Sequence, residues 1–269
     1  MKKVKGLMFA ATLLLGTALV GCGGKTEPAG NNQAGGSTPA PQAKEYVVGT
    51  DAAYAPFESV NDKKEIVGFD IELLQAIADK GGFKVTFKNT PWDGIFETLK
   101  NGDRDILISA ITITDKRKAD MDFSEKYFEA QQLIALPQSS TVKSLDELKD
   151  KKIGVQTGTT GDEIVSEKFG KTNPNIVRFD TTPLALKELE NGGLAAVVAD
   201  NGVVNNYVKN NAPKNLKFIE DNKSFEKEYY GIAVKKGNKE LLDKINAGFK
   251  KVKEDGTYDK LVEKYFGKK

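Results

Sequence analysis

The sequence predicts an α/β fold, in which the strands of mostly parallel sheets alternate with helices. From Glu45 onward, short apolar runs alternate with segments whose apolar residues recur at helical spacing, which is the pattern of α/β proteins. The run Ala195–Ala199 is apolar throughout, as is typical of a strand buried on both faces of a parallel sheet. Several predicted strands also end in polar residues just before a turn.

The first half of this region is predicted to begin with a strand and to continue with a helix. Helix Asp70–Lys80 is indicated by apolar residues that recur on one face from Ile71 to Ala78, and Gly81 is its predicted stop. The other elements predicted in this half are the strands Tyr46–Thr50, Val85–Phe87 and Ile106–Ser109 and the helix Trp92–Asn101.

The second half continues the alternation without an internal repeat or a second linker. Ser144 is the predicted cap of a short helix, Ser144–Leu148, and the Gly-rich turn Thr157–Gly161 leads into helix Asp162–Phe169. The other elements predicted here are the strands Lys152–Val155, Ala195–Ala199 and Tyr230–Val234 and the helices Pro183–Glu190, Glu240–Val252 and Tyr258–Phe266.

Composition excludes several kinds of catalytic and metal site. The chain has 269 residues, with 40 Lys and Arg against 38 Asp and Glu, no His and a single Cys. Without His there is no Ser-His-Asp triad, Cys-His pair or His-ligated zinc, and a lone Cys forms neither a four-cysteine metal site nor an intrachain disulfide. The formal charge of +2 gives no reason to expect nucleic acid as a partner, and no cofactor is expected. An enzyme based on carboxylates or on Lys and Arg, a binding protein and a scaffold remain.

The first 21 residues are predicted to be a secretory signal peptide. Lys2, Lys3 and Lys5 precede the apolar run Leu7–Val20, which is short for a membrane span but matches the core of a signal sequence. Small residues before Cys22 resemble the bacterial lipobox, in which cleavage before the Cys is followed by its lipidation, here with palmitate. The alternative is an ordinary signal peptide followed by an incidental Cys. Cleavage would lower the formal charge from +2 to −1.

Residues 22–44 are predicted to comprise the lipidated Cys and a flexible tether. From Gly23 to Lys44 the chain consists mostly of Gly, Pro, Ala, Asn, Gln, Ser and Thr, which bury too little apolar area to offset the entropy of ordering. A flexible coil of about 22 residues has a root-mean-square reach of about 25 Å. The protein is therefore expected to be held by its lipid on the extracytoplasmic face of the cell membrane.

Four predicted strands end in small hydroxyl or acidic residues: Asp51, Ser109–Thr114, Thr157–Thr160 and Asp200. Open parallel sheets bind ligands outside the carboxyl ends of their strands, so these residues predict a site for a small, polar, hydrogen-bonding ligand. The alternative is that they are ordinary turn residues, since Asp, Ser and Thr favour turns. The stretch Gly154–Gly161 does not qualify as a phosphate loop, because no Gly-Lys-Ser/Thr follows it.

Several separate motifs in the same order carry a resemblance to a known family. They are Asp51–Glu58, Val67–Leu73, Ala110–Arg117, Asp122–Ser124, Gly154–Thr160, Val198–Asp200 and Gly256–Leu261. From about residue 45 to the end, the chain resembles the polar amino-acid-binding proteins of bacterial ABC importers, the extracellular solute-binding proteins of family 3. The resemblance implies a two-lobed, type II periplasmic-binding-protein fold whose lobes are joined by two crossing strands and close a cleft around one amino acid. The implied boundaries are residues 45–127 plus 231–269 for lobe 1, 132–226 for lobe 2, and 127–131 and 227–231 for the hinge.

The resemblance also assigns residues to the backbone of an amino-acid ligand. Arg117 would hold the α-carboxylate with its planar fork, and the N–H groups of Thr112 and Thr160 would add donors. Asp200 would take the ammonium, helped by the Ala110 carbonyl and the Thr112 hydroxyl. The alternatives are a solvated Arg117 within a run of charged residues and an Asp200 that only caps a helix.

Other matched positions meet the ligand side chain. Tyr54 and Trp92 would sandwich it, with core packing as the alternative, while Ser109 and Gln156 would also contact it. A carboxylate in a closed cleft is costly unless paired, so Asp51 favours arginine, lysine or another cationic amino acid, with glutamine close behind. The complete predicted ligand-binding set is Asp51, Tyr54, Trp92, Ser109, Ala110, Thr112, Arg117, Gln156, Thr159, Thr160 and Asp200.

The sequence departs from the glutamine-binding relatives at three positions. Gln156, Thr160 and Ala199 stand where those relatives have Lys, Gly and His, and the loss of positive potential favours a cationic ligand further. The predicted function is that of a monomeric, non-enzymatic lipoprotein that captures an amino acid and delivers it to ABC permease subunits. The alternatives are an enzyme resembling cyclohexadienyl dehydratases and an amino-acid sensor module of the same fold.

Overall fold

The computed structural model describes residues 43–212 and 215–268. The predicted signal peptide, the predicted lipidation site Cys22 and the predicted tether as far as residue 42 lie outside the described residues. Within the described ranges, no helix is long and apolar enough to cross a membrane.

Strands and helices alternate along the described chain, so the predicted α/β class is confirmed. In chain order the strands are β1 (Glu45–Thr50), β2 (Ala53–Tyr54), β3 (Glu58–Val60), β4 (Ile66–Val67), β5 (Lys84–Asn89), β6 (Ile106–Leu107), β7 (Met121–Phe123), β8 (Phe128–Pro137), β9 (Ile153–Gln156), β10 (Ile176–Phe179), β11 (Ala196–Asp200), β12 (Leu216–Ile219), β13 (Lys227–Tyr230) and β14 (Ala233–Lys235). The α-helices are α1 (Phe69–Gly81), α2 (Ile95–Asn101), α3 (Asp115–Asp120), α4 (Thr160–Phe169), α5 (Thr182–Glu190), α6 (Asn201–Asn211), α7 (Lys239–Glu254) and α8 (Thr257–Phe266). A 3₁₀-helix spans Leu145–Leu148.

A five-stranded sheet contains the first strand of the chain. Its order is β5–β1–β6–β14–β7, with β1 parallel to β5 and β6 and β14 antiparallel to β6 and β7. Because parallel strands end at the same edge of a sheet, the residues that follow β1 and β6 come together there. The N–H of Asp51 accordingly donates to Ser109 Oγ at 2.9 Å.

The second large sheet has the order β10–β9–β11–β8–β12. Strand β9 is parallel to β10 and β11, whereas β8 is antiparallel to β11 and β12. Gln156 at the end of β9 and Asp200 at the end of β11 therefore lie at one edge. A small antiparallel sheet, β2–β3–β4, completes the described strands.

Strands β8 and β13 connect the regions of the chain that contain the two large sheets. The first residues of β8 pair with β13, from Phe128 opposite Tyr230 to Gln131 opposite Lys227, and its later residues pair with β11 and β12. Tyr230 also forms a bridge with Thr112, which follows β6. These pairings lie in the segments where the sequence predicts the two crossings, and the lobe boundaries stay predictions.

The C-terminal helices pack on the N-terminal sheet. Helix α1 contributes Leu73 and Ile77 to the core of this sheet, and α7 contributes Ile245 and Phe249, all at most 1% exposed. Burial of one such side chain is worth about 1.5–3 kcal/mol. The two helices approach so closely that a Cβ on Gly248 would lie 2.3 Å from the Ile77 carbonyl oxygen. The last helices of the chain therefore complete a core that its first strands begin.

Two predicted elements are wrong where a glycine interrupts them. Helix Trp92–Asn101 begins only after Gly94, which adopts a left-handed conformation with φ of 84° and cannot continue a right-handed helix. The predicted strand Tyr230–Val234 breaks at Gly231, because β13 pairs with β8 while β14 pairs with β6 and β7. The first of these breaks leaves Trp92 outside the helix.

Two predicted helix ends are also wrong. The left-handed residue that caps α1 is Gly82, with φ of 74°, and Gly81 is the last helical residue. Ser144 makes no capping hydrogen bond, and the N–H of Leu145 instead donates to Asp221 Oδ2 at 2.9 Å. A distant side chain thus replaces the local cap that the sequence favours.

Candidate ligand-binding site

A small cavity lies where residues from both large sheets meet. Asp51 follows β1, Asp200 ends β11 and Thr160 begins α4. The cavity lining is Asp51, Tyr54, Trp92, Ser109, Ala110, Thr112, Arg117, Gln156, Thr159, Thr160 and Asp200. The structure therefore brings together every residue that the sequence predicts for the site, and their roles toward a ligand stay predictions.

Arg117 supplies the positive charge of the cavity. It is only 9% exposed, and its Nη1 donates to the Thr112 carbonyl at 2.9 Å. The guanidinium lies over the rings of Trp92 and Phe96, 5.3 and 5.0 Å from their centroids, and burial lowers the pKa of this group. Within residues 43–212 and 215–268, Arg117 forms no ion pair with a carboxylate. A buried guanidinium with unused N–H groups is a site for an anion.

Helix α3 fixes the direction from which Arg117 enters the cavity. Its N-cap is Thr114, whose hydroxyl oxygen accepts from the Arg117 N–H at 3.1 Å, so one of the free N–H groups of the first turn is satisfied. The sequence analysis identifies Arg117 but not Phe96, the second ring under its guanidinium. Apolar periodicity assigns Phe96 to a helix without showing which neighbour it meets.

Asp200 is held by donors from three different strands. Its Oδ2 accepts from the hydroxyls of Tyr54 at 2.8 Å and Tyr230 at 2.6 Å, and its Oδ1 accepts from Gln132 Nε2. Burial, helped by the nearby charge of Glu228, raises the pKa of Asp200 to about 6, and the three hydrogen bonds act in the opposite direction. Asp200 is therefore a fixed carboxylate that is ionised at neutral pH.

Asp51 is buried at the other side of the cavity with fewer donors. Its Oδ2 accepts from Gln156 Nε2 at 3.2 Å, and a backbone hydrogen bond comes from Trp92. Burial raises the pKa of Asp51, and these hydrogen bonds oppose the shift. Thr182 donates to Gln156 Oε1 at 2.9 Å, which turns the amide N–H₂ toward Asp51. Among the described residues no cation pairs with Asp51.

Glu228 on β13 is a site residue that the sequence analysis misses. Its Oε2 accepts from the hydroxyls of Thr112 at 2.7 Å and Thr160 at 2.8 Å, while its Oε1 accepts from Gln132 Nε2 at 3.2 Å. Since Thr112 follows a strand of one sheet and Thr160 begins a helix on the other, Glu228 connects both sides of the cavity. Glu228 and Tyr230 lie within the predicted hinge segments, and Gln132 directly follows the first of these segments. Only the pairing of β8 with β13 shows that these three residues lie close together.

A family model for bacterial extracellular solute-binding proteins, family 3, matches residues 46–268. The chain belongs to this family.

This solute-binding protein is similar to proteins whose ligands are named. It is 46% identical over 266 residues to a probable histidine-binding protein of Neisseria gonorrhoeae. The alignment covers 98% of this chain and 97% of the relative. Its fold matches the arginine-, lysine-, histidine-binding protein ArtJ of Geobacillus stearothermophilus with 48% identity and a TM-score of 0.80, over 84% of this chain and 96% of ArtJ. It also matches an ancestral arginine-binding protein bound to glutamine with 43% identity and a TM-score of 0.77, over 84% of this chain and all of that one. The predicted two-lobed fold of periplasmic binding proteins is thereby confirmed.

The cavity of this solute-binding protein is unevenly charged. One cation, Arg117, stands beside two carboxylates, Asp51 and Asp200, and Glu228 adds a third just outside the lining. A ligand that compensates these charges carries one negative group and at least two positive ones.

Proposed function

We propose that this protein captures a cationic L-amino acid, arginine in the first place, and delivers it to the permease of an ABC importer. The observation that carries the proposal is a set of buried charges without an ion pair among the described residues: the guanidinium of Arg117 and the carboxylates of Asp51 and Asp200. Unpaired charges are expensive in a closed cavity. A ligand of matching charges would remove that cost.

Arginine supplies the complementary group for each of the three charges. Its α-carboxylate would bind Arg117 and the N–H groups of Thr112 and Thr160, the latter in the first turn of α4, where the helix dipole favours an anion. Its ammonium would bind Asp200. Its guanidinium would bind Asp51, between the rings of Tyr54 and Trp92.

Other amino acids match this pattern less well. Lysine and protonated histidine also carry a positive side chain but lack the five donors and the extended plane of a guanidinium. Glutamine offers Asp51 a neutral N–H₂ group, and glutamate would be repelled. The proteins similar to this chain support a ligand of the cationic class, since ArtJ is named for arginine, lysine and histidine and the Neisseria relative for histidine.

Closure of two lobes around the ligand is part of the proposal. Lobe 1 would comprise residues 45–127 and 231–269 and lobe 2 residues 132–226, with the hinge at 127–131 and 227–231. Contacts across the proposed lobes support it: Tyr54 with Asp200 at 2.8 Å, Gln156 with Asp51 at 3.2 Å, and an ion pair of Lys116 with Glu163 at 2.5 Å. Each of these contacts would break when the lobes separate.

The protein would work as a monomer tethered to the membrane. We propose lipidation of Cys22 with palmitate after removal of residues 1–21, and residues 22–44 as the tether. The charged start, the apolar run and the single Cys at its end support this placement. A tethered capture protein would meet both the external amino acid and the membrane-embedded permease.

The test is a calorimetric titration of the chain from residue 22 with Cys22→Ser, unfolded and refolded to remove any bound ligand. We expect arginine to bind most tightly and glutamine at least tenfold more weakly. Glutamine binding more tightly than arginine would contradict the cationic assignment. Absence of amino-acid binding, with turnover of prephenate or arogenate, would contradict the transport function and support the dehydratase alternative.

A further inference from the structure

Two carboxyl groups, Glu58 and Asp70, are completely buried directly behind the cavity wall, and the proposed function does not use them. Glu58 Oε1 accepts from the Ser109 hydroxyl at 3.0 Å. Asp70 Oδ2 accepts from the Ala110 N–H at 2.8 Å and from the Tyr127 hydroxyl at 2.7 Å. Both carboxyl groups therefore hold residues that line the ligand cavity.

Each of the two groups has one oxygen that receives no donor from the described residues. These oxygens are Glu58 Oε2 and Asp70 Oδ1. The two side chains are nevertheless neighbours that act on each other directly. Two carboxylates have no hydrogen to place between them, so a hydrogen bond that satisfies both oxygens needs one of the two groups to be protonated.

Charge leads to the same requirement. Among the described residues, the titratable groups with the main effects on the pair include the Asp51 carboxyl and the phenols of Tyr54 and Tyr127, and none of these three is a cation. Burial and mutual repulsion raise the pKa of Glu58 well above its ordinary value, and burial raises that of Asp70 to about 6. Two adjacent carboxylates cannot both ionise in such a place.

The position of the proton follows from the neighbours of each group. Asp70 lies in the first turn of α1, where the helix dipole favours a negative charge, and it accepts two hydrogen bonds from other residues. Glu58 accepts only one, from Ser109. Glu58 therefore carries the proton and donates it to Asp70.

These hydrogen bonds determine which donors and acceptors Ser109 and Ala110 can present to a ligand. The hydroxyl proton of Ser109 is used by Glu58, while its oxygen accepts from the Asp51 N–H. The N–H of Ala110 is used by Asp70, in a residue held at φ of 47°, a region that non-glycine residues rarely adopt. Ser109 and Ala110 are left with oxygen lone pairs, beside the carboxylate of Asp51. Ser109 and Ala110 consequently present acceptors and no donors to this part of the cavity.

We propose that Glu58 and Asp70 share a single proton and act as specificity-determining positioning residues. By using up the donors of Ser109 and Ala110, they select a ligand side chain that only donates, such as a guanidinium, against one that carries a carbonyl, such as the urea group of citrulline. The proton sharing stands on its own, and the selectivity rests on the proposed function.

Infrared spectroscopy tests the shared proton without any ligand. At pH 8 the wild-type protein should show the C=O stretch of a protonated, buried carboxylic acid, with a shift in D₂O, and Glu58→Gln should lack it. Asp200 and Asp70, both with pKa about 6, are ionised at that pH and do not contribute. Absence of the band from the wild-type spectrum, or its persistence in Glu58→Gln, would overturn the shared proton.

A competition between arginine and citrulline tests the selectivity. Glu58→Gln keeps an acceptor for Ser109 and a donor for Asp70, so its arginine-to-citrulline affinity ratio should stay within about threefold of wild type. Glu58→Met removes the acceptor and frees the Ser109 hydroxyl to donate into the cavity, which should lower the ratio at least tenfold. Because both ligands compete in one sample, a partly unfolded Glu58→Met preparation changes the signal but not the ratio.

The outcomes separate this inference from the proposed function. An unchanged ratio in folded Glu58→Met, or a lowered ratio in Glu58→Gln, would overturn the selectivity while arginine binding by the wild type stands. A wild-type protein that binds neither ligand would overturn the proposed function and the selectivity together. The infrared result would still decide whether the proton is shared.

Discussion

Two carboxylates line the same cavity, each 7% exposed, and they are held in different ways. Asp200 receives two short hydroxyl hydrogen bonds, at 2.6 and 2.8 Å, and an amide donor. The one side-chain donor to Asp51 is Gln156, at 3.2 Å. Asp200 is therefore fixed before a ligand arrives, whereas Asp51 retains hydrogen-bonding capacity. A fixed carboxylate suits the ammonium that all amino acids share, and a less occupied one suits the side chain that differs among them.

The largest expected effect comes from removing the charge of the fixed carboxylate. Asp200→Asn should weaken the binding of every amino acid by about 2–5 kcal/mol, because the ligand ammonium loses its buried partner. That corresponds to a loss of roughly 30-fold to several thousand-fold. Calorimetry with arginine, lysine, histidine and glutamine measures it. A loss confined to arginine would show that Asp200 contacts the side chain.

The next effect separates the two carboxylates. Asp51→Asn should weaken the binding of arginine by about 1.5–3 kcal/mol, the contribution of a hydrogen bond to a charged group. The affinity for glutamine should stay unchanged or increase. The same four-ligand titration reads out the change in preference. An equal loss for all four ligands would contradict the side-chain role of Asp51.

A smaller effect follows from the titration of Asp200. The ammonium binds the ionised carboxylate, so affinity should be complete well above the pKa of about 6 and fall as the pH decreases through it. At pH 5 binding should be about tenfold weaker than at pH 7.5, for every amino acid alike, since one pH unit below a pKa costs a factor of about ten. Asp70 titrates in the same range, so the profile alone does not assign the group. A flat profile between pH 7.5 and 5 would contradict the ionised role of Asp200.

The smallest effect assigns that profile to one carboxylate. Tyr230→Phe removes a donor that lowers the pKa of Asp200, so the midpoint should move to higher pH and affinity at pH 7.5 should fall by about 0.5–1.5 kcal/mol. Tyr230 donates to Asp200 and has no hydrogen bond to Asp70.

Tyr229→Phe is the matched control on the same strand. Among the described residues, the Tyr229 hydroxyl makes no hydrogen bond, and its ring packs under the Lys126 ammonium, 3.5 Å from the ring centroid. Its profile should match that of the wild type. An unmoved midpoint in Tyr230→Phe would assign the titration to Asp70.

Elements with a strong periodic pattern are predictable from the sequence, and elements without one are not. Helix α1 and the apolar strand β11 differ from their predicted bounds by one residue at each end. Helix α6 is missed, because five of its eleven residues are Asn, a residue of low helix propensity. Of strand β8, only the crossing at 127–131 is predicted from the sequence, and its continuation, which pairs with β11 and β12, is missed.

The sequence by itself determined which residues surround the cavity. Polar residues at strand ends meet at one edge whenever the strands are parallel, and parallel strands follow from the alternation of apolar runs with helical patterns. That reasoning places Asp51, Ser109, Thr160 and Asp200 together without knowledge of any distance, whereas Gln156 is assigned from the resemblance to the family.

Only the tertiary structure decided which donor satisfies which acceptor. Glu228 reaches Thr112 and Thr160 across 116 and 68 residues of chain, and Gln132 reaches Asp200 across 68. The proton that we propose to be shared by Glu58 and Asp70 likewise depends on how β3 meets α1. Periodicity reports the environment of a residue along its own element, whereas hydrogen bonds and charge pairing depend on ångström-scale distances between elements that the chain order leaves open.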